Sequence, residues 1–143
     1  MNRDEFRRLV DEALLTIPEE FRNAMQNIAI VIEDEPSERV RAEVELGPDD
    51  TLLGLYEGVA LTERQWGHGN TLPDKITLFQ NSIEESSDNR EDTVVAIGET
   101  LIHEIGHYFG LSEEEIEEIE ENYWRQGNGG VNGDEPDKDP EGA

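Results

Sequence analysis

The chain has no cysteine. That excludes disulfides and thiolate metal ligands, so any bound metal must be held by nitrogen and oxygen. Basic residues are scarce: eleven Lys and Arg stand against thirty-six Asp and Glu, a formal charge of −25. Such a chain repels phosphate backbones and anionic lipid, so neither nucleic acid nor a membrane is expected as a partner. Long apolar runs are missing too, and the amino terminus, Met1-Asn-Arg-Asp-Glu-Phe6, carries charge where a secretory signal needs an apolar core. The expected location is the cytoplasm. Histidine is rare as well, three in 143 residues, and two of the three fall within one stretch of five.

That stretch is His103-Glu104-Ile105-Gly106-His107. Histidines four residues apart on an α-helix lie one turn above each other and can grip the same ion. The glutamate between them completes the H-E-x-x-H pattern, in which two imidazoles hold zinc and the carboxylate acts as general base. The pattern continues with Gly110 and Glu113, giving H-E-x-x-H-x-x-G-x-x-E. Glycine accepts the left-handed conformation that ends a helix, so the chain can reverse at Gly110 and return a third ligand to the metal. The bland alternative is a helix whose histidines bind nothing. By average residue usage H-E-x-x-H alone arises in about one chain in a few hundred of this size, and the added glycine and acid lower that roughly a hundredfold. Glu113 is favoured as third ligand by its spacing from Gly110, although an acid at a helix start is also favoured by the helix dipole, and Glu114, Glu115, Glu117 and Glu118 crowd the same region.

The rest of the chain reads as a single domain over residues 1–125, followed by a Gly-, Asp- and Pro-rich tail, 126–143, whose composition predicts disorder. Phe6, Leu9, Val10, Ala13 and Leu14 are spaced for an amphipathic helix over 4–15, and Pro18 opens a shorter one to residue 26. Ile28-Ala-Ile-Val-Ile32 is a β-branched run that reads as a central strand buried on both faces. Residues 33–50 read as a connection with a short helix possible over 38–46, 52–56 as a second strand, and 61–75 as an irregular loop holding His68, where an exposed histidine is more often a bystander than a ligand. Residues 76–80 alternate like an edge strand, a candidate for pairing an extended peptide. Asp88 and Glu91 resemble a capping box opening the long motif helix. Gly98 and Gly106 within it point to close packing against a strand. Ser112 and Glu115 resemble a second box, opening a last helix to about Trp124.

Three segments together, Leu52-Leu-Gly-Leu-Tyr-Glu-Gly58, Leu72-Pro-Asp-Lys-Ile-Thr-Leu-Phe79 and His103-Glu-Ile-Gly-His-Tyr-Phe-Gly110, resemble the minimal-zincin family of small bacterial zinc metallopeptidases, over roughly residues 17–120. The resemblance implies an α+β, zincin-like fold, a small mixed sheet packed on helices that include the motif helix. It implies zinc ligation by His103, His107 and an acid at Glu113, with Glu104 as the catalytic carboxylate. The larger metzincin pattern is not met. That group has a third histidine where Glu113 stands and a methionine turn downstream, whereas the only methionines here, Met1 and Met25, lie upstream.

The expected function is therefore a zinc-dependent metallopeptidase that hydrolyses a peptide or protein substrate with a zinc-bound water and Glu104 as base. The alternative from a different class is a non-catalytic zinc-binding domain for protein interaction. No oxyanion stabiliser is identifiable from the sequence; Tyr108, Tyr123 and His68 are guesses for that role.

Overall fold

The computed structural model describes residues 1–47, 51–58 and 74–124. His68, residues 61–73 of the expected loop and the 126–143 tail lie outside the described residues. Asn2 opens the first helix, α1 (Arg3–Leu14): its side chain accepts from the Glu5 N–H at 2.8 Å while the Glu5 carboxylate takes the Asn2 N–H at 3.3 Å. This reciprocal cap satisfies donors that a helix start otherwise leaves bare. Phe6, Leu9, Val10 and Ala13 form the buried face. Pro18 precedes α2 (Glu19–Ala24), a single turn at Met25–Asn27 follows, and the chain enters β1 (Ile28–Glu33). Ser37 caps α3 (Glu38–Glu43).

Three strands form one mixed sheet in the order β1, β3, β2, where β2 is Gly54–Glu57 and β3 is Asp74–Phe79. β3 runs parallel to β1 and antiparallel to β2. The register aligns Ile30 and Tyr56 on either side of Ile76, and Ile32 and Gly54 on either side of Leu78, so these positions share a face. That face meets Phe6, Leu9, Ile97 and Leu101 in the main core. Thr77 and Phe79 are buried on the opposite face.

Two strand expectations are thus reversed. The run at 28–32 is an edge of the described sheet, with Ala29 exposed and Val31 only half-buried. The 74–79 strand is the central one, and all its residues but Lys75 are buried. A continuous β-branched run signals strand propensity without reporting how many neighbours the strand has, and a threonine pays little for burial when its hydroxyl can bond locally. The free edge for peptide pairing therefore cannot be 76–80.

After β3 the chain turns directly into α4 (Gln80–Glu85), which the sequence reading did not anticipate, and then into α5 (Arg90–Phe109). The cap of α5 is Asn89, accepting from the Asp92 N–H at 2.9 Å, rather than the expected Asp88 with Glu91. Asn competes with Asp at this position on nearly equal terms, so one residue of sequence decides it. Ile97, Leu101, Ile102 and Ile105 of α5 are wholly buried, each side chain contributing about 1.5–3 kcal/mol of hydrophobic stabilisation. α1 and the sheet pack on two sides of this helix, and α6 (Glu113–Trp124) packs on a third.

The two glycines of α5 face α6, not a strand. A Cβ at Gly98 would lie 1.9 Å from the Tyr123 hydroxyl, and one at Gly106 2.6 Å from Ile116 Cγ1. The strand side is served instead by Gly54, whose absent Cβ would lie 2.6 Å from Thr100 Cγ2. Gly106→Ala should therefore lower stability by about 1–3 kcal/mol in urea titrations although alanine is the better helix former. Adding Ile116→Val, which removes the Cδ1 that would lie 2.8 Å away, should recover part of the loss, and a Gly106→Ala protein more stable than wild type would refute the contact.

Candidate metal centre

The long helix leaves one strip of its surface between β2 and α6, and His103 and His107 emerge there. Their rings stand edge to face with centroids 4.8 Å apart, each about a third exposed. His103, Glu104 and His107 each offer a ligand atom within 4.8 Å of the others and can hold a metal ion.

Glu104 is only 8 % exposed. Its Oε1 accepts the Tyr56 N–H at 2.9 Å and lies 3.6 Å from His107 Nδ1. The backbone bond follows from strand register. Leu53 directs its carbonyl to Phe79 at 2.9 Å, so Gly54 and Tyr56, out of phase with it, turn their N–H groups away from β3. An outward N–H at a half-buried edge needs an acceptor, and the carboxylate supplies one.

Glu113 arrives by the reversal expected at Gly110. That glycine has φ +74°, its N–H bonds the His107 carbonyl, and the Leu111 N–H bonds the Gly106 carbonyl, both at 3.0 Å. The paired bonds close the helix as a left-handed glycine permits. Ser112 and Glu115 then cap α6 reciprocally, at 3.1 and 2.9 Å, as their spacing predicts. Glu113 has no part in that cap. Its Oε2 lies 3.1 Å from His107 Nε2 and its Oε1 3.7 Å from His103 Nε2, although the side chain is 67 % exposed. Glu104 and Glu113 thus approach His107 from opposite ring nitrogens, and among the described residues Glu113 alone faces Nε2 of both imidazoles.

Sequence reasoning missed Glu120. Its Oε2 is 3.5 Å from His103 Nδ1, and its place seven residues after Glu113, two turns along one face of α6, is the signal that would have found it. Tyr108 and Tyr123 have contacts of their own. Tyr108 is buried against Tyr56 and Phe109, and Tyr123 engages the Thr16 hydroxyl at 3.0 Å.

A cleft of about 650 Å³ leads to the imidazoles, walled by Thr51–Gly54 on one side and by Val95, Ala96, Glu99 and Thr100 on the other, and ending at His103, Glu104 and Glu120. Carboxylates set its electrostatics. Burial pushes Glu99 above the usual carboxylate range, with Glu120 adding to the effect, and burial also raises Glu120 against the opposing pull of His103. Glu113 is held below that range by its bond to His107. His107 rises to about 9, through Glu104 first and then Glu113, while burial opposes both.

A small mixed sheet over a buried helix that carries H-E-x-x-H is the arrangement of a zincin-like protein. The model of the zincin-like metallopeptidase family matches residues 25–123, and the chain belongs to that family. No curated protein matches it. Among solved structures it is similar to a conserved hypothetical protein from Thermus thermophilus, with 22 % identity and a TM-score of 0.52 over 76 % of this chain and 94 % of that one. At that identity the likeness speaks for the fold. Among the described residues no helix is long and apolar enough to cross a membrane.

The charge on His107 has a sign that can be tested in metal-free protein. Its folded value of about 9 exceeds the ordinary 6.5, so the stability it brings is fully present below pH 6.5 and is lost as pH rises through about 9. With chelator present, the melting-temperature gap between wild type and His107→Gln should shrink across that interval. A gap that stays constant would contradict the pairing of His107 with Glu104 and Glu113.

Proposed function

We propose that this chain is a zinc-dependent peptidase in which His103, His107 and Glu113 hold the metal and Glu104 is the catalytic carboxylate. The observation that carries this reading is the convergence of one carboxylate, Glu113, on Nε2 of both imidazoles at 3.7 and 3.1 Å. Two imidazoles and a carboxylate are a donor set that suits zinc, and in enzymes that use it a fourth position stays open. Zinc in such a site supplies a Lewis acid that acidifies water and polarises a carbonyl.

The protein's own groups do the rest. With Oε1 of Glu104 tied to the Tyr56 N–H, the carboxylate is held beside the imidazoles without needing a mobile partner. Glu104 takes a proton from the attacking water as its oxygen bonds to the carbonyl carbon, then delivers it to the departing amine as the C–N bond breaks. An extended peptide would lie along the cleft wall at Leu53 and Gly54, which puts β2 in the role that the sequence reading gave to 76–80. The charge of −25 favours a peptide over nucleic acid or an anionic membrane as partner.

Protein purified without an affinity tag and refolded with zinc should hold about one equivalent, and His103→Ala or His107→Ala should hold far less. Glu104→Gln should keep the metal and cleave a broad peptide library about 10²–10⁴-fold more slowly than wild type. Equal cleavage by the two would remove Glu104 from the mechanism. Stoichiometric zinc with no cleavage by wild type would leave a metal-binding protein without peptidase activity.

A further inference from the structure

The metal-ligand reading above accounts for Glu113 and Glu104 but leaves Glu120 with no role. We propose that Glu120 is the positioning residue for His103: it accepts the Nδ1–H of that ring, which fixes the imidazole in the tautomer whose Nε2 is free for a metal. The inference rests on the proposed metal site, yet its main observable is present in the metal-free protein.

Geometry places the two carboxylates of α6 on the two nitrogens of one ring. Glu113 Oε1 lies 3.7 Å from His103 Nε2, and Glu120 Oε2 lies 3.5 Å from His103 Nδ1. Seven residues along a helix return to almost the same face about 10 Å further on, so a single rigid element can offer both. That element is fixed where it matters. Ile116 sits against Gly106 between the two acids, and Tyr123 sits against Gly98 just past the second. Neither contact admits a Cβ on the facing glycine, so α6 has little freedom to withdraw Glu120 from the ring.

Burial distinguishes Glu120 from its neighbours. Glu114, Glu115, Glu117 and Glu118 are exposed, as charged residues on an outer helix face ordinarily are, whereas the Glu120 side chain is 24 % exposed. A carboxylate withdrawn from water needs a compensating donor, and among the described residues the ion pair made by Glu120 is the one with His103. A neutral imidazole has one N–H, and a carboxylate only accepts. With the proton held at Nδ1, the Nε2 lone pair is presented on the side of Glu113 and His107. Carboxylates behind ligating imidazoles act in this way, and their loss typically costs 10–100-fold in metal affinity. His107 is served by a different group, since the carboxylate 3.6 Å from its Nδ1 is Glu104. Glu120 thus leaves Glu104 free of any duty toward His103.

The test is ¹⁵N NMR of the histidine rings in metal-free protein at alkaline pH, together with zinc affinity measured against a chromophoric chelator. Wild type should show His103 as the Nδ1–H tautomer. Glu120→Ala should turn it to a mixture of tautomers and weaken zinc binding about 10–100-fold. Glu120→Gln, whose amide oxygen still accepts from Nδ1–H, should keep the tautomer and lose much less affinity, and Glu117→Gln, exposed on the same helix, should match wild type. His103 found as the Nε2–H tautomer in wild type overturns the proposal even if Glu120→Ala does not fold. Unchanged tautomer and zinc affinity in a folded Glu120→Ala protein overturn it as well. If wild type binds no zinc but shows the expected tautomer and its loss in Glu120→Ala, the metal-site reading fails while the positioning of His103 by Glu120 stands.

Discussion

The close approach of α6 to α5 is the constraint on which the candidate site depends. Each imidazole projects from α5, but Glu113 and Glu120 belong to α6, and they reach the rings because the second helix lies close against the first where α5 carries no side chain. Glycines at 98 and 106 make the room, at a propensity cost of about 1 kcal/mol each relative to alanine. Ile116 and Tyr123 fill it. The left-handed turn at Gly110 is the other half of the device, since a reversal only a few residues long is what lets α6 run back beside the helix it has just left. Site geometry and helix packing are therefore one problem, and a change that loosens the packing moves the carboxylates with it.

Charge imposes a second constraint. Glu104, Glu113 and Glu120 surround two imidazoles, with Glu99 nearby, and no arginine or lysine among the described residues lines the adjoining cleft. Part of this excess is met by a proton on His107, which Glu104 and Glu113 drive to about 9, whereas Glu99 and Glu120 move upward chiefly through burial. A divalent ion would relieve it more completely, because it meets several carboxylates at once and takes the lone pairs that the protons occupy.

Much of this was legible in the sequence because the informative signals were local. Helix spacing placed His103 over His107, a glycine three residues on marked the stop, and Ser112 with Glu115 marked the restart. Signals that required knowledge of neighbours were not legible. The apolar run at 28–32 says strand but is silent on whether the strand is flanked, and the polar Thr77 and Gln80 disguised the central strand as an edge. α4 has no side-chain cap to announce it. Glu120 was hidden among seven glutamates on α6, since periodicity offers many carboxylates the same face and only packing chooses one.

The corrected sheet order has a chemical consequence. The 74–79 strand is paired on both sides, so its backbone is occupied within the sheet. With β2 at the edge instead, the outward N–H of Tyr56 meets the Glu104 carboxylate, while Leu53 and Gly54 line the cleft a few residues earlier. One short strand therefore contributes both the wall along which a substrate would lie and the donor that holds the proposed base. A buried carboxylate bonded to a backbone N–H cannot swing away without leaving that donor unsatisfied. Its position relative to the imidazoles is then set by the pairing of β2 with β3, and a slip of one residue in that register would turn the Tyr56 N–H toward β3 and release Glu104.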